Sequence, residues 1–279
     1  MKIRKAVVTA AGPGQGGLPL QNLVDRDGRE KTVIEMIVEE IDSAGIDSIA
    51  IVINSEAENA YRQAAGSYKD RLTFVSQSNI GAGYGQAILS CKDYVGDEPF
   101  LHMVGDHLCF SGSQKRCAAQ LCEVARQQEC SISAVQATRE SLLPYFGTIG
   151  GVRLQEFERL FEVKKVIEKP TPTIAEQELL TAGLRSGNYL CFFGMHVLMP
   201  SIFDYLSDAI SAKGTPVPLT EGLQATLNRE RYLAYEIDGL RYNLGVKFGL
   251  LNSQLALGLS GVDRDHVLTQ LIDVLSLHR

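Results

Sequence analysis

Residues 3–17 read IRKAVVTAAGPGQGG, and the fold of the chain is decided in this stretch. The run from Ile3 to Thr9 has the length and the β-branched content of a buried strand in a parallel sheet. The glycines and the proline after it require turns and unusual φ angles, so the strand ends there. A glycine-rich turn at this point allows backbone N–H groups to approach a phosphate. The loop from Gly12 to Gly17 is therefore either a phosphate-binding loop or an ordinary connection between a strand and a helix.

Extended and helical patterns alternate over the first half of the chain. Residues 32–44 place apolar side chains on one helical face, and Thr32 with Glu35 has the spacing of a capping box. The apolar run at 48–53 predicts a second strand. Later strands are predicted over 72–77, 99–107 and 131–138, and helices over 55–66, 86–92 and 113–128. This order favours a parallel sheet with right-handed crossovers.

The pattern changes after the first half of the chain. Short strands at 148–154 and 162–169 predict a hairpin or a mixed sheet rather than further β-α-β units. Residues 188–198 form a strongly apolar and aromatic strand, and 246–259 and 263–277 predict two closing helices. We therefore predict an α/β fold with a mixed, mostly parallel sheet flanked by helices and with a smaller β-rich portion.

The composition is that of an ordinary globular protein and argues against two classes of partner. Of the 279 residues, 45% are hydrophobic and 22% are charged, and the formal net charge is −6. This acidic balance argues against a general nucleic-acid binder and against a membrane-surface binder. No stretch reaches the roughly 18 consecutive apolar residues that span a bilayer. The six cysteines form no CxxC pair, which predicts buried free thiols in a reducing cytoplasm.

Polar residues follow several of the predicted strands, where open α/β sheets bind their ligands. Gln77 ends one strand just before a second glycine cluster at 81–85, although an isolated glutamine is also typical of a surface. Asp106 ends another strand, where a carboxylate is well placed to hold Mg²⁺ or to cap the next helix. The proline after Lys169 fixes its position, which suits a lysine that binds a phosphate. The same sequence also fits an ordinary solvated lysine.

Taken in order, these segments resemble the bacterial UTP–glucose-1-phosphate uridylyltransferases and, more widely, the sugar-phosphate nucleotidyltransferases. The stretches that carry the resemblance are KAVVTAAGPG, LVDRDG, IVEEIDSAGIDSIAIVI, SQSNIGAGYGQAI, VGDEPFLHMVGDH, VIEKP, GNYL, PLTEGL and YNLGVKFGLL. They cover most of the chain, and the succession of GYGQAI, VGDEPFLHMVGD and EKP is the most specific part. The resemblance implies a Rossmann-like nucleotidyltransferase fold in one domain over 1–279. Within it, a nucleotide-binding part over 1–140 precedes a sugar-phosphate-binding part over 141–245 and C-terminal helices over 246–279.

The resemblance also implies a reaction, in which an oxygen of a sugar-1-phosphate attacks the α-phosphorus of a nucleoside triphosphate and releases pyrophosphate. The implied partners are UTP or another nucleoside triphosphate and a sugar-1-phosphate, or the UDP-sugar product, with Mg²⁺ as cofactor and a homo-oligomer as the assembly. By position, the nucleotide-binding residues would be Ala11, Gly12, Gly14, Gln77 and Gly83. The sugar-phosphate-binding residues would be Gly147, Glu168, Lys169 and Gly187, the metal ligands Asp106 and Asn243, and the catalytic residues Asp106 and Lys169.

Departures from the family pattern leave a second function open. The family loop carries GxGTR, whereas Gln15 begins the pair that stands at its Thr-Arg position, and a proline–lysine pair is missing from a shorter loop. Asn243 stands where the family has a metal-binding aspartate, and an amide oxygen supplies no charge. The cations nearby that could replace the missing charge are Arg26, Arg29 and Lys31. The alternative is a weakly active or inactive member that binds a nucleotide sugar or sugar phosphate as a sensor or partner subunit.

A nicotinamide-dependent oxidoreductase is a third interpretation of the same glycines. Gly12, Gly14 and Gly17 fit the bare GxGxxG spacing of a dinucleotide-binding loop. That fingerprint also needs an acidic residue about 20 positions further on, at the end of the second strand. In this chain the second strand ends near Asn54, about twice that distance away, so the oxidoreductase interpretation is disfavoured.

Overall fold

The computed structural model describes residues 1–12, 14, 16–77, 83–214 and 216–277. Its strands are β1 (Lys5–Thr9), β2 (Asn22–Val24), β3 (Glu30–Thr32), β4 (Ser48–Ile53), β5 (Leu72–Ser76), β6 (Phe100–Val104), β7 (His107–Ser111), β8 (Ser131–Arg139), β9 (Thr148–Arg153), β10 (Leu160–Ile167), β11 (Asn188–Leu198), β12 (Tyr232–Glu236) and β13 (Gly239–Asn243). Its α-helices are α1 (Val33–Asp42), α2 (Glu58–Ala64), α3 (Tyr84–Leu89), α4 (Lys92–Val95), α5 (Cys117–Gln128), α6 (Pro172–Glu178), α7 (Ser201–Lys213), α8 (Leu219–Arg229), α9 (Gly249–Ser260) and α10 (Arg264–Leu277). Short 3₁₀ helices cover Ser55–Ala57, Gly66–Arg71 and Glu140–Tyr145.

A nine-stranded mixed sheet forms the centre of the molecule, in the order β5-β4-β1-β6-β11-β8-β12-β10-β9. β1 pairs in parallel with β4 and β6, as the alternation of strands and helices requires. β11 lies antiparallel between β6 and β8, and the hairpin of β9 and β10 closes one edge. Two small antiparallel pairs, β2–β3 and β7–β13, lie outside this sheet. The predicted mixed, mostly parallel sheet flanked by helices is confirmed.

Helix α1 forms because its apolar residues recur at helical spacing and have a sheet to cover. Ile34, Ile37 and Ile41 are buried against the face of the sheet that also carries α5. The predicted capping box is confirmed, since the Thr32 side chain accepts from the Glu35 N–H while the Glu35 carboxylate accepts from the Thr32 N–H. The opposite face of the sheet is covered by α3, α7 and α8.

Strand β11 contains an irregularity in its pairing with β8. This irregularity determines which of its side chains face the C-terminal ends of the parallel strands. Its register with β8 moves from Phe192 opposite Val135 to His196 opposite Ser133, so β11 carries extra residues between these two pairs. Gly194 lies in this bulge with a φ of +90°, a conformation that L side chains rarely adopt. The bulge lets β11 pair with both β6 and β8 while it bends at Gly194.

The strand predicted over 99–107 proves to be two elements. β6 ends at Val104, a turn follows, and β7 begins at His107 and pairs with β13. Asp106 therefore lies in a turn between two strands, and the hypothesis that it caps the next helix is wrong, because that helix, α5, begins only at Cys117. The sequence pattern did not separate β6 from β7, because both are apolar and only the turn at 105–106 divides them.

Other boundaries differ from the predictions for local reasons. The helix predicted over 86–92 begins earlier, at Tyr84, and ends at Leu89. The helix predicted from 246 begins at Gly249, because Phe248 before it has a left-handed φ of +64°. Helices α6 and α8 were not predicted; α6 has only seven residues and lies between two strands, β10 and β11. Helix α8 forms through packing, because Leu219 and Leu223 lie one turn apart and are buried in the core that it shares with α7.

The structure also bears on the cysteines and on membrane insertion. All six cysteines are free, and all except the half-buried Cys109 are buried, which confirms the prediction of buried free thiols. Among the described residues, no helix combines the length and the apolar character that crossing a membrane requires.

The capping box of α1 gives a prediction for stability. In Thr32→Ala the helix loses the oxygen that accepts from Glu35 N, and the Ala64 carbonyl loses its Thr32 hydroxyl donor at 2.6 Å. We expect the free energy of unfolding to fall by about 1–2 kcal/mol, measured by chemical denaturation. Thr32→Ser keeps the hydroxyl and should lose much less. Equal midpoints for the two variants would show that the cap does not stabilise the fold.

Candidate functional site

A cavity of about 360 Å³ opens where β1 and β6 end, the edge at which α/β sheets bind ligands. Most of the residues predicted for the site line it. Those residues are Ala11, Gly12, Gln77, Gly83, Asp106, Gly147, Glu168, Lys169 and Asn243. Gly14 and Gly187, which were also predicted, do not line it. The structure thus brings together residues that lie more than half the chain apart in sequence.

The predicted nucleotide side of the cavity is formed by two loops after strands. Gln77 directly follows β5 and is buried, and its Nε2 donates to the Gly83 carbonyl at 3.4 Å. Gly83 has a φ of +90°, and a Cβ there would lie 2.7 Å from the Cβ of Pro216. Only glycine fits this position, because Pro216 packs directly against it. The approach of this backbone to a ligand stays a prediction. Gly81 of that cluster, like Gln15 of the first loop, lies outside the described residues.

Gly14 and Gly187 do not line the cavity, but both have backbone conformations that favour glycine. Both adopt positive φ angles, +71° at Gly14 and +72° at Gly187. A Cβ on Gly14 would meet nothing within 4 Å, so backbone conformation rather than space favours glycine there. The Gly187 carbonyl accepts from the Glu140 N–H at 3.0 Å and so ties the start of β11 to the end of β8.

Asp106 and Asn243 meet because β7 pairs with β13. Asn243 is opposite His107 in this pair, and the Leu244 N–H donates to the Asp106 carbonyl at 2.8 Å. Asp106 Oδ1 lies 2.7 Å from His107 Nδ1. Burial would raise the pKa of Asp106, but the hydrogen bond and the charge of His107 outweigh it and lower the pKa, so the carboxylate is ionised at neutral pH. Asn243 Oδ1 accepts from the Gly245 N–H at 2.8 Å, which fixes the orientation of the amide.

These two side chains fit a hard cation that is shared with a ligand rather than held by protein alone. Within the described ranges, no cluster of three or more His, Cys, Asp or Glu side chains could hold a metal ion. One ionised carboxylate and one amide oxygen are nevertheless the oxygen ligands that Mg²⁺ prefers, and this ion commonly takes one or two carboxylates plus substrate phosphates. The donor set therefore fits Mg²⁺ when phosphate oxygens complete its coordination.

Glu168 and Lys169 follow β10 directly and line the other side of the cavity. Burial raises the pKa of Glu168, although the Lys169 charge and a hydrogen bond from Thr220 oppose the shift. Lys169 Nζ lies 3.9 Å from Glu168 Oε1, and the Lys169 backbone has an unusual positive φ of +45°. Gly147 is close to them, and a Cβ on it would lie 2.7 Å from the Phe192 ring. The Phe192 ring thus packs directly on the Gly147 backbone, so position 147 has no space for a side chain.

The cations near the first loop do not reach the cavity. Lys31 Nζ lies 2.8 Å from Asp25 and 2.6 Å from Glu39, so its charge is already compensated. Arg26 Nε donates to the Ser260 hydroxyl at 3.1 Å. Neither of these, nor Arg29, is among the residues that line the cavity. The hypothesis that they replace the missing loop charge is not supported by their positions.

The sequence did not reveal the floor of the cavity, which is made by Thr9, Tyr84 and His196 together with Phe192. Thr9 Oγ1 lies 3.2 Å from His102 Nε2, and the Tyr84 hydroxyl lies 3.4 Å from the same nitrogen. The available signals were that Tyr84 directly follows Gly83 and that Thr9 ends β1. Neither signal indicates which way the side chain points, so the floor could be identified only from the structure.

A buried arginine next to the cavity was also missed. Arg241 is two residues before Asn243 on β13, and its guanidinium carbon lies 3.8 Å from the centre of the Phe146 ring, which lines the cavity. One terminal nitrogen donates to Thr138 Oγ1 at 3.2 Å, while Nε and Nη1 are buried without a partner among the described residues. Burial lowers the pKa of Arg241 to about 10, so the side chain is still cationic at neutral pH. Its charge lies behind Phe146 rather than in the cavity itself.

Comparisons with known proteins agree with this geometry. Residues 22–240 match the family model described as nucleotidyl transferase. UTP–glucose-1-phosphate uridylyltransferase 2 of Staphylococcus saprophyticus is 28% identical to the chain, with 99% of each chain covered. UTP–glucose-1-phosphate uridylyltransferase 1 of Streptococcus pyogenes is 30% identical over 91% of this chain and 88% of its own length.

A solved structure gives the same result at the level of the fold. The crystal structure of a UDP-glucose pyrophosphorylase complexed with UDP-glucose superposes with a TM-score of 0.74 at 27% identity, covering 91% of this chain and 98% of that one. The predicted nucleotidyltransferase fold is therefore confirmed, as is the resemblance read from the motifs. Since the family model spans most of the sequence and the site lies where the motifs meet, the chain belongs to the nucleotidyl transferase family.

Proposed function

We propose that this chain transfers a uridylyl group from UTP to glucose-1-phosphate and so produces UDP-glucose and pyrophosphate. The observation that carries the proposal is one cavity that gathers the family motifs from the ends of β1, β6 and β10. Two relatives that match 99% and 91% of the chain are named for this activity. Each protein in the comparisons above is named as an enzyme, which gives no support to the binding-only alternative.

The two sides of the cavity suit the two substrates. In this proposal the uracil binds to the backbone at Ala11 and Gly12 and to the amide of Gln77, which its bond to Gly83 holds in place. The glucosyl phosphate would bind near Gly147, Glu168 and Lys169. Gly14 and Gly187 would act indirectly, because their positive φ angles let the backbone turn beside the ligand.

Uridylyl transfer depends on alignment and charge compensation more than on acid–base chemistry. A phosphate oxygen of glucose-1-phosphate forms a bond to the α-phosphorus of UTP. The bond from that phosphorus to the bridging oxygen breaks, and its electron pair leaves with pyrophosphate. Among the described residues, Lys169 is the one lysine or arginine that lines the cavity. Its Nζ would therefore neutralise charge on the reacting phosphates.

A divalent cation, which we propose to be Mg²⁺, fits the same reaction. Asp106 and Asn243 would hold it, and substrate phosphates would complete its ligands. When bound, the ion offsets the negative charge of the phosphates that come together in the reaction. His107 keeps the Asp106 carboxylate oriented and ionised for this role.

The remaining features of the proposal concern the whole chain. We propose one domain, with a nucleotide part over 1–140, a sugar-phosphate part over 141–245 and closing helices over 246–279. The free cysteines fit a cytoplasmic protein. Exposed apolar side chains on α10, among them Leu275 with 71% of its surface accessible, fit contact with a second copy of the chain. The acidic charge fits partners other than nucleic acid or membrane.

The reaction is tested by measuring pyrophosphate release from UTP, glucose-1-phosphate and Mg²⁺, with other nucleoside triphosphates and sugar-1-phosphates as a panel. Wild-type protein should release pyrophosphate, and Asp106→Asn should lower kcat/KM about 100- to 1,000-fold because it removes the carboxylate charge. Asp265→Asn, at a side chain that is 95% exposed, is the control and should be unchanged. Binding of UDP-glucose by calorimetry without release across the panel would support the binding-only alternative instead.

The phosphate role of Lys169 has its own test. Lys169→Met keeps most of the unbranched side chain but removes the charge, and we expect kcat/KM to fall about 100- to 1,000-fold. Lys164→Met is the matched control, because Lys164 is on the same segment, is 53% exposed and pairs with Glu162 at the surface. Equal activity of the two variants would show that Lys169 does not contact the phosphates.

Asn243→Asp tests the metal site by a gain of function. The new carboxylate can still accept from the Gly245 N–H, and it adds a charged ligand beside Asp106. We expect half-maximal activity at a lower Mg²⁺ concentration than in the wild type. Asn228→Asp adds the same charge on the exposed side of α8 and should leave the Mg²⁺ dependence as it is. A requirement that stays the same or rises in Asn243→Asp would mean that position 243 is not a metal ligand.

A further inference from the structure

A row of buried polar groups leads from the cavity floor into the core of the sheet. His196 on β11 lines the cavity, and its Nδ1 lies 2.5 Å from the Ser133 hydroxyl on β8. The Ser133 hydroxyl lies 2.5 Å from the hydroxyl of Tyr232 on β12. All three side chains are at most 2% exposed. Such a row is stable only if its protons are shared in a consistent direction, since an unpaired buried donor costs free energy.

The far end of the row fixes that direction. The Tyr232 hydroxyl is fully buried and contacts one hydrogen-bonding group among the described residues, the Ser133 oxygen. Burial raises the pKa of Tyr232, so the hydroxyl keeps its proton and must donate it to Ser133. Ser133 then donates its own proton to His196 Nδ1. If His196 Nδ1 donated to Ser133 and Ser133 donated to Tyr232, the Tyr232 proton would have no acceptor. If His196 and Tyr232 both donated to Ser133, the Ser133 proton would have no acceptor.

This direction determines the tautomer of His196. Because Nδ1 accepts from Ser133, the ring proton of the neutral imidazole is on Nε2. Complete burial lowers the pKa of His196 to about 3, so the ring is neutral at physiological pH. Nδ1 is engaged on the core side of the ring, which leaves the Nε2–H as the polar group that His196 offers to the cavity.

The neighbours of His196 place this donor on the sugar side of the cavity. The His196 ring lies 5.0 Å from the Phe192 ring, in an edge-to-face arrangement. The Phe192 N–H donates to the Gly147 carbonyl at 2.9 Å, and Gly147, one of the residues proposed for the sugar phosphate, also lines the cavity. A group bound in the cavity against Gly147 and Phe192 would therefore lie close to His196. A hexose offers hydroxyl oxygens there, and each can accept from an N–H.

We propose that His196 donates from Nε2 to a hydroxyl oxygen of the hexose portion of the ligand, and that Ser133 and Tyr232 are positioning residues that hold the ring in this tautomer. The identity of the sugar rests on the proposed function, but the tautomer does not. A fixed donor at the floor would make the site discriminate against sugars that lack the matching hydroxyl, because the buried N–H is then unpaired.

The tautomer is measured directly by ¹⁵N NMR of the histidine side chains in the wild-type protein, with the His196 signals identified by their loss in His196→Gln. We expect a protonated Nε2 and an unprotonated Nδ1. Tyr232→Phe removes the proton that sets the direction, and should add a population of the Nδ1–H tautomer. A protonated Nδ1 in the wild type would overturn the inference, and this outcome does not depend on any activity.

Ligand contact is measured with UDP-glucose added to the same sample. We expect the Nε2 resonance of His196 to shift, and the affinity for UDP-glucose to fall about 10- to 100-fold in His196→Leu, with partial rescue in His196→Gln, which keeps an N–H donor. One monodeoxyglucose analogue of UDP-glucose should bind equally to wild type and His196→Leu. An unshifted Nε2 signal at saturation would overturn the contact. Binding with the expected shift but without turnover would instead refute the proposed function and leave this inference standing.

Discussion

The bulge of β11 at Gly194 is the constraint on which the site depends. β11 must pair with β6 on one side and with β8 on the other, and the extra residues at Gly194 let it do both. A Cβ at Gly194 would lie 2.8 Å from the Val104 side chain at the end of β6, so a larger residue would disturb the packing of β11 on the strand that leads to Asp106. Bulges next to binding sites commonly re-aim side chains in this way. Here Phe192 and His196, on either side of the bulge, both line the cavity.

Charge is distributed unevenly around this cavity. Asp106 and Glu168 bring carboxylates to it, whereas Lys169 is the one lysine or arginine that lines it within the described ranges. Nearby cations are already paired, as Lys31 is with Asp25, or lie behind an aromatic ring, as Arg241 does behind Phe146. A site of this kind binds a polyphosphate well only together with a cation, because phosphate oxygens and carboxylates repel each other. A divalent ion held by Asp106 and Asn243, as proposed above, would add positive charge to that of Lys169.

Much of the fold could be read from the sequence because the signals are local. The capping box at Thr32, the helical spacing of Ile34, Ile37 and Ile41, and the apolar run of β4 all act within a few residues. The motif positions around Asp106 and Lys169 could be predicted in the same way. What could not be predicted depends on contacts between distant segments. The pairing of β7 with β13, the polar floor with His196, and the stacking of Arg241 on Phe146 each join segments that lie far apart in sequence.

The pairing of β7 with β13 also sets when the site can be completed during synthesis. Asp106 and Asn243 are 137 residues apart in the chain, which is the difference of their positions. At roughly 5–20 residues per second, a ribosome needs about 7–27 seconds to make the intervening segment. Until then β7 lacks its partner strand, and Asp106 lacks the residue with which we propose that it holds a cation. Since β13 is the last strand of the described residues, a chain that ends before it would carry only one of the two residues proposed to hold the cation.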